Sequence, residues 1–108
     1  MRKHIDMKDG IDPLPHDWQD ASNMFLALGD ERRQRILLMF APGERLNVTH
    51  IVAGSTLSRT TVSHHLKILR QAGALESEKI GKEVYFWINK AKIAATLERV
   101  LNYVRNNT

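Results

Sequence analysis

The chain has 108 residues, 43% of them hydrophobic and 26% charged, the size and balance of one soluble globular domain without room for a second. It has no cysteine, which excludes disulfides, thiolate nucleophiles, zinc–thiolate sites and thiol redox sensing together. Residues 1–31 hold 7 acids and 3 bases and residues 32–108 hold 5 acids and 13 bases, so the net charge of +4 divides into a leading segment of −4 and a body of +8. A small basic body of this kind points to a polyanionic partner, most often nucleic acid.

The longest apolar run covers only residues 36–41, against the roughly 20 residues of a membrane-spanning helix. The N-terminus mixes charges of both signs and lacks the apolar stretch of a secretory signal. Both features imply no membrane association and a cytoplasmic location.

Residues 1–16 are polar, end in Asp12-Pro13-Leu14-Pro15, and are expected to form a flexible tail ahead of a single domain over 17–108. Asp17 is placed to cap a first helix in which Trp18, Ala21, Phe25 and Leu28 recur at helical spacing, with Gly29 closing it. Asp30 caps a second, where Glu31 suits the positive first turn and Ile36, Leu37 and Phe40 form the apolar stripe until Pro42-Gly43. Asn47 caps a short helix over 48–54, and after the polar turn Ser55-Thr56-Leu57, Ser58 caps a longer one through Gln71. A short helix, a tight turn and a second helix make a helix-turn-helix pattern.

Gly73 ends that helix, and residues 75–80 and 84–88 read as two strands joined by Gly81-Lys82-Glu83, with Val84, Phe86 and Ile88 on one face. This hairpin is the wing. A last helix over 91–105 keeps Ile93, Leu97, Val100, Leu101 and Val104 on one side. The fold expected is mainly α with one hairpin (α+β), a winged helix-turn-helix of order ααααββα.

Within the fourth helix, Val62, Leu66 and Leu69 fall within about 60° of one another and form the buried stripe. Ser63, Lys67, Thr60, Gln71 and His64 lie about 100–200° from Val62 and project away from the core together. Their hydroxyl, ammonium, amide and imidazole groups have the reach and chemistry to meet base edges and phosphates in a major groove, and Arg59 adds a guanidinium. A merely solvated helix face usually mixes signs. This one has no acid between Ser58 and Ala74 while carrying Arg59, Lys67 and Arg70. The wing adds Lys79 and Lys82 around Gly81, although Glu76, Glu78 and Glu83 dilute their charge.

The segments LALGDERRQRILLMF, LSRTTVSHHLKILRQAGAL and GKEVYFWIN, within residues 18–105, resemble the ArsR/SmtB family of bacterial winged-helix repressors. The resemblance implies a homodimer paired through its first and last helices. The Met24 to Leu28 run and the stripe from Ile93 to Val104 exceed what one small domain must cover, so Phe25, Leu28, Ile93, Leu97, Val100, Leu101 and Val104 are the seam residues expected. It further implies two recognition helices in successive major grooves of an imperfect inverted repeat in double-stranded DNA. Arg59, Thr60, Thr61, Ser63 and His64 are then expected near base edges, and Ser58, Lys67, Lys79 and Lys82 on phosphates.

The chain departs from the family at its sensing sites. Leu46-Asn47-Val48-Thr49-His50 stands where one family site has a Cys-Val-Cys pair, and Lys90, Lys92, Tyr103 and Asn106 stand where another has its Asp, His and acidic ligands. Ammonium groups do not ligate cations at neutral pH, so no metal, cofactor or inducer is assigned. Thr56 replaces a usual turn glycine, which implies an altered turn or an unusual backbone angle.

Two other classes compete: a repressor with a non-standard metal site built from His4, His16 and His50, and a winged-helix protein-interaction module. The acid-free recognition face favours DNA. Enzymatic activity is not expected, since Ser63 and His64 diverge by about 100° on a helix and no nearby acid orients the imidazole. His65, about 300° from Val62, lies beside the core and suits a packing or phosphate-contacting role.

Overall fold

The computed structural model describes residues 14–107. The first thirteen residues of the expected tail, His4 among them, lie outside these. The elements are α1 (His16–Leu28), α2 (Glu31–Leu37), α3 (Val48–Ala53), α4 (Arg59–Gln71), β1 (Leu75–Ile80), β2 (Glu83–Ile88) and α5 (Lys90–Asn107). Their order is the one read from the sequence.

Three caps follow from side chains that can bond their own backbone. Asp30 Oδ1 accepts from the N–H groups of Arg32 and Arg33 at 2.8 and 3.2 Å. Ser58 Oγ accepts from Thr61 N–H at 3.2 Å. Asn47 Oδ1 accepts from His50 N–H at 2.8 Å while His50 Nδ1 accepts from Asn47 N–H at 3.1 Å, a reciprocal capping box with histidine in the place of Glu or Gln.

Several boundaries differ from those expected: α3 ends one residue earlier, α5 extends over 90–107 instead of 91–105, and α1 and α2 differ for reasons the structure shows. Helix α1 begins at His16, the last residue of the segment expected as a tail. Pro15, with φ −55° and ψ 154°, takes the cap position, and the Asp17 carboxylate instead accepts from Trp18 N–H at 3.1 Å within the first turn. Helix α2 stops at Leu37 because Met39 and Phe40 N–H turn to the carbonyls of Ile36 and Leu37, at 3.0 and 3.2 Å. Phe40 still reaches the core.

The core gathers Met24 of α1, Ile36 of α2, Ile51 of α3, Val62, Leu66 and Leu69 of α4, and Leu75 of β1, all buried. Each such side chain contributes about 1.5–3 kcal/mol on leaving water. Helix α5 lies along α1, with Trp18 and Tyr103 edge to face at 5.1 Å and Arg99 Nη1 donating to Asp17 O at 3.1 Å.

Gly73, at φ +85°, closes α4 in a Schellman motif, its own N–H on Arg70 O and Ala74 N–H on Leu69 O. That turn aims the chain into the wing, whose register runs from Leu75↔Ile88 to Ile80↔Glu83. The loop is therefore two residues, Gly81-Lys82, one shorter than expected, and Gly81 at φ +63° meets its left-handed requirement. A further pin is invisible in the sequence: Leu46 and Phe86 exchange backbone hydrogen bonds of 2.9 and 2.8 Å, tying β2 to the start of α3.

Candidate nucleic-acid interface

Four buried side chains, Val62, His65, Leu66 and Leu69, fix the rotation of α4. They leave Arg59, Thr60, Ser63, His64, Lys67 and Gln71 exposed. Thr61 is half-buried, and its Oγ1 accepts from Ser58 Oγ at 3.0 Å, so these two hydroxyls close the helix start. Arg59 Nη1 donates to Thr49 Oγ1 at 3.2 Å, bracing α4 against α3. Arg70 turns aside to the wing, its Nε donating to Ser77 Oγ at 2.6 Å.

One of the three wing acids, Glu78, is neutralised by a cation outside the wing, and a second, Glu83, is bonded to a neutral amide. Glu78 accepts from Arg45 Nη1 at 2.8 Å, and the same guanidinium lies 3.9 Å over the Trp87 ring. Glu83 accepts from Asn47 Nδ2 at 3.1 Å. Two of the three acids thus answer groups elsewhere, while Lys79 and Lys82 remain exposed at the tip. Ser63 and Lys67 share a groove of about 290 Å³ with Val84 and Phe86, so helix face and wing form one continuous surface.

Behind that surface sits a linkage the sequence did not reveal. Arg33 donates from Nε to Ala27 O at 2.7 Å and from Nη2 to Leu26 O at 3.1 Å, and its Nη1 lies 3.3 Å from His65 Nδ1. A guanidinium only donates, so Nδ1 accepts and the His65 proton sits on Nε2. Nε2 is buried with no hydrogen-bond partner among the described residues. His65 therefore packs inside; it does not reach a phosphate directly.

Desolvation lowers the His65 pKa below the usual histidine value, the Arg32 and Arg33 charges add to this, and Asp30 opposes it. The unfolded chain then binds more protons than the folded one as pH falls below about 6.5, so His65 costs nothing above that pH and destabilises progressively below it. The urea midpoint is expected to be lower at pH 5.5 than at 7.5, and His65→Gln should narrow the difference. An unchanged difference would assign the effect to other groups.

The seam residues divide. Phe25, Leu97, Leu101 and Val104 are exposed and Val100 is half-buried, whereas Leu28 and Ile93 pack against the core of their own chain. Among the described residues no group of three or more His, Asp or Glu is placed to hold a metal ion. His50 commits Nδ1 to Asn47, and Lys92 pairs with Asp20 at 3.4 Å. No non-glycine among the described residues has positive φ, so Thr56 forms its turn at an ordinary backbone angle, contrary to the strained alternative. No helix among them is long and apolar enough to cross a membrane.

Comparison with known proteins agrees with this geometry. Residues 30–77, from the α2 cap through the first half of β1, match the family described as bacterial regulatory protein, arsR family. The chain is 34% identical over 87 residues to the cadmium resistance transcriptional regulatory protein CadC of Listeria innocua, covering 81% of this chain and 73% of that protein. It is 28% identical to the transcriptional repressor SdpR of Bacillus subtilis, over 77% of this chain and 91% of the relative. Among solved structures, an ArsR-like transcriptional regulator from Rhodococcus sp. RHA1 superimposes with a TM-score of 0.71 at 26% identity, covering 81% of this chain and 80% of that one.

Proposed function

The chain belongs to the ArsR family of bacterial regulatory proteins, and from that premise we propose that it is a homodimeric repressor acting in the cytoplasm on an imperfect inverted repeat in double-stranded DNA. One α4 enters each of two successive major grooves, with half-sites about one helical turn apart. The observation that carries this reading is the outward face of α4, exposed by the burial of Val62, His65, Leu66 and Leu69 and free of acids from Ser58 to Ala74.

Arg59, Thr60, Thr61, Ser63 and His64 read base edges in this proposal, while Ser58, Lys67, Lys79 and Lys82 hold phosphates. The partner copy covers Phe25, Leu97, Val100, Leu101 and Val104, with Leu28 and Ile93 supporting the seam from the core side. The cadmium resistance in the name of one relative does not extend to this chain. Soft cations favour thiolates, and this chain has none.

The test is fluorescence anisotropy with a duplex selected from a random pool by the full chain, against a scrambled duplex, at several salt concentrations. Thr60→Ala and His64→Ala should each weaken the selected duplex roughly ten-fold and the scrambled one much less. Lys82→Ala should weaken both alike and reduce the slope of log K against log salt by about 0.9. Equal losses in all three variants would remove the division into base and phosphate contacts, and no selectivity in the parent protein would overturn the regulator reading.

A further inference from the structure

We propose that the notch between the start of α2 and the N-terminal half of α4 seats one backbone phosphodiester of the bound DNA, with Arg32 as its principal ligand. The inference rests on the reading that α4 lies in a major groove. It adds a contact on the side of α4 away from the wing.

The notch holds about 540 Å³. One wall is Thr60, Thr61 and His64 of α4, the other Asp30 and Arg32, and His65 also lines it. Its donors are not equally available. Arg33 is committed to Ala27 O, Leu26 O and His65 Nδ1. The Arg32 guanidinium makes no hydrogen bond among the described residues; its nearest acid is Asp30, with Nε 3.9 Å from Oδ1. That carboxylate accepts two backbone N–H groups, which hold it ionised below the usual range, and the Arg32 and Arg33 charges add to this, so one acid stands against two guanidinium groups in the notch.

The remaining charged donor is the exposed guanidinium of Arg32, with the base-reading Thr60 and His64 on the α4 side of the notch. His65, 3% exposed, lines the notch with its Nδ1 held by Arg33 and does not itself meet the anion. Two guanidinium charges, of Arg32 and Arg33, against the one carboxylate of Asp30 suit a singly charged phosphodiester. The anion is assigned to DNA because Thr60 and His64 belong to the face that enters the groove, and a helix in a major groove has sugar–phosphate backbone along both flanks.

The position of the notch gives it a purpose. Ser63 and Lys67 lie on the groove shared with the wing, while Thr60, Thr61 and His64 lie on the notch. The base-reading residues Thr60, Ser63 and His64 thus lie between Arg32 on one side and the wing on the other. With wing lysines on one strand and Arg32 on the other, the helix is fixed in depth and tilt from both sides, and neither contact carries sequence information.

The experiment uses the full chain and the selected duplex, with single phosphates replaced one at a time by uncharged methylphosphonates. Arg32→Ala should weaken the selected and scrambled duplexes alike, about ten-fold at moderate salt, and reduce the salt slope by about 0.9. Arg32→Lys should keep the slope. At one phosphate position per half-site, neutralisation should weaken the parent protein but not Arg32→Ala. Circular dichroism and melting confirm that the variants are folded.

Parental affinity and slope in Arg32→Ala, or the same methylphosphonate profile in both proteins, overturns the seat alone. If the parent protein binds no duplex, the regulator reading falls and the seat with it. If inorganic phosphate at fixed ionic strength binds the parent but not Arg32→Ala and leaves DNA binding by the parent unchanged, the notch belongs to a free anion and the DNA assignment is wrong.

Discussion

Arg33→Ala is expected to lower the melting temperature by about 10 °C, more than any other single charge removal on α2. The three groups that Arg33 contacts come from two elements that must be held at a fixed angle: the carbonyls of Leu26 and Ala27 at the end of α1, and His65 on the inner side of α4. The last turn of α1 has no basic residue of its own, so the negative end of that helix is answered from outside by this guanidinium. Truncation orphans the carbonyls and the partly buried His65 Nδ1 together. Bonds to a charged donor contribute about 1.5–3 kcal/mol each when well shielded. Discounting for partial exposure leaves about 2 kcal/mol, or about 10 °C for a domain of this size.

The neighbouring Arg35 supplies the comparison. It pairs with Glu31 at 3.3 Å one turn away, both side chains largely in water, a pair contributing about 0.3–0.5 kcal/mol. Arg35→Ala should therefore melt within about 3 °C of the parent. Arg33→Lys keeps the charge but loses the planar fork that reaches three acceptors, and should recover less than half of the loss. If Arg33→Ala melts no earlier than Arg35→Ala, the linkage contributes nothing to the fold.

How much could be read beforehand follows from the range of each interaction. The caps at Asp30, Asn47 and Ser58 were legible because each is a side chain bonding backbone within three residues. The rotation of α4 was legible because Val62, Leu66 and Leu69 repeat with the helical period. The start of α1 was misplaced because two capping signals, Pro15 and Asp17, stand side by side and propensity does not rank them. Four of the hydrogen bonds and ion pairs that fix the wing and the back of α4 join residues about thirty or more positions apart: Arg33 to His65, Arg45 to Glu78, Asn47 to Glu83, Leu46 to Phe86. None has a period or a local motif. For the same reason the roles of Glu78 and Glu83 as attachments of the wing had no sign in the sequence.

Lys67→Glu should weaken DNA binding by about a hundred-fold near physiological salt, the largest loss expected from any single exposed residue. Lys67 is exposed on α4 beside Ser63 and opens on the groove that α4 shares with the wing. The reversal removes one phosphate contact, reducing the salt slope by about 0.9, and places a carboxylate against the same backbone, where juxtaposed like charges cost several kcal/mol. Part of any such effect is merely the fall in net charge from +4 to +2, so the control is the same reversal elsewhere. Arg105→Glu, in the exposed last turn of α5, makes an identical change in net charge away from α4. Long-range repulsion between exposed charges is screened beyond about 8 Å at physiological ionic strength, so this variant should lose no more than about three-fold. Equal losses in the two would mean that the body of the protein attracts DNA only as a diffuse cation, and that the acid-free face of α4 does not touch it.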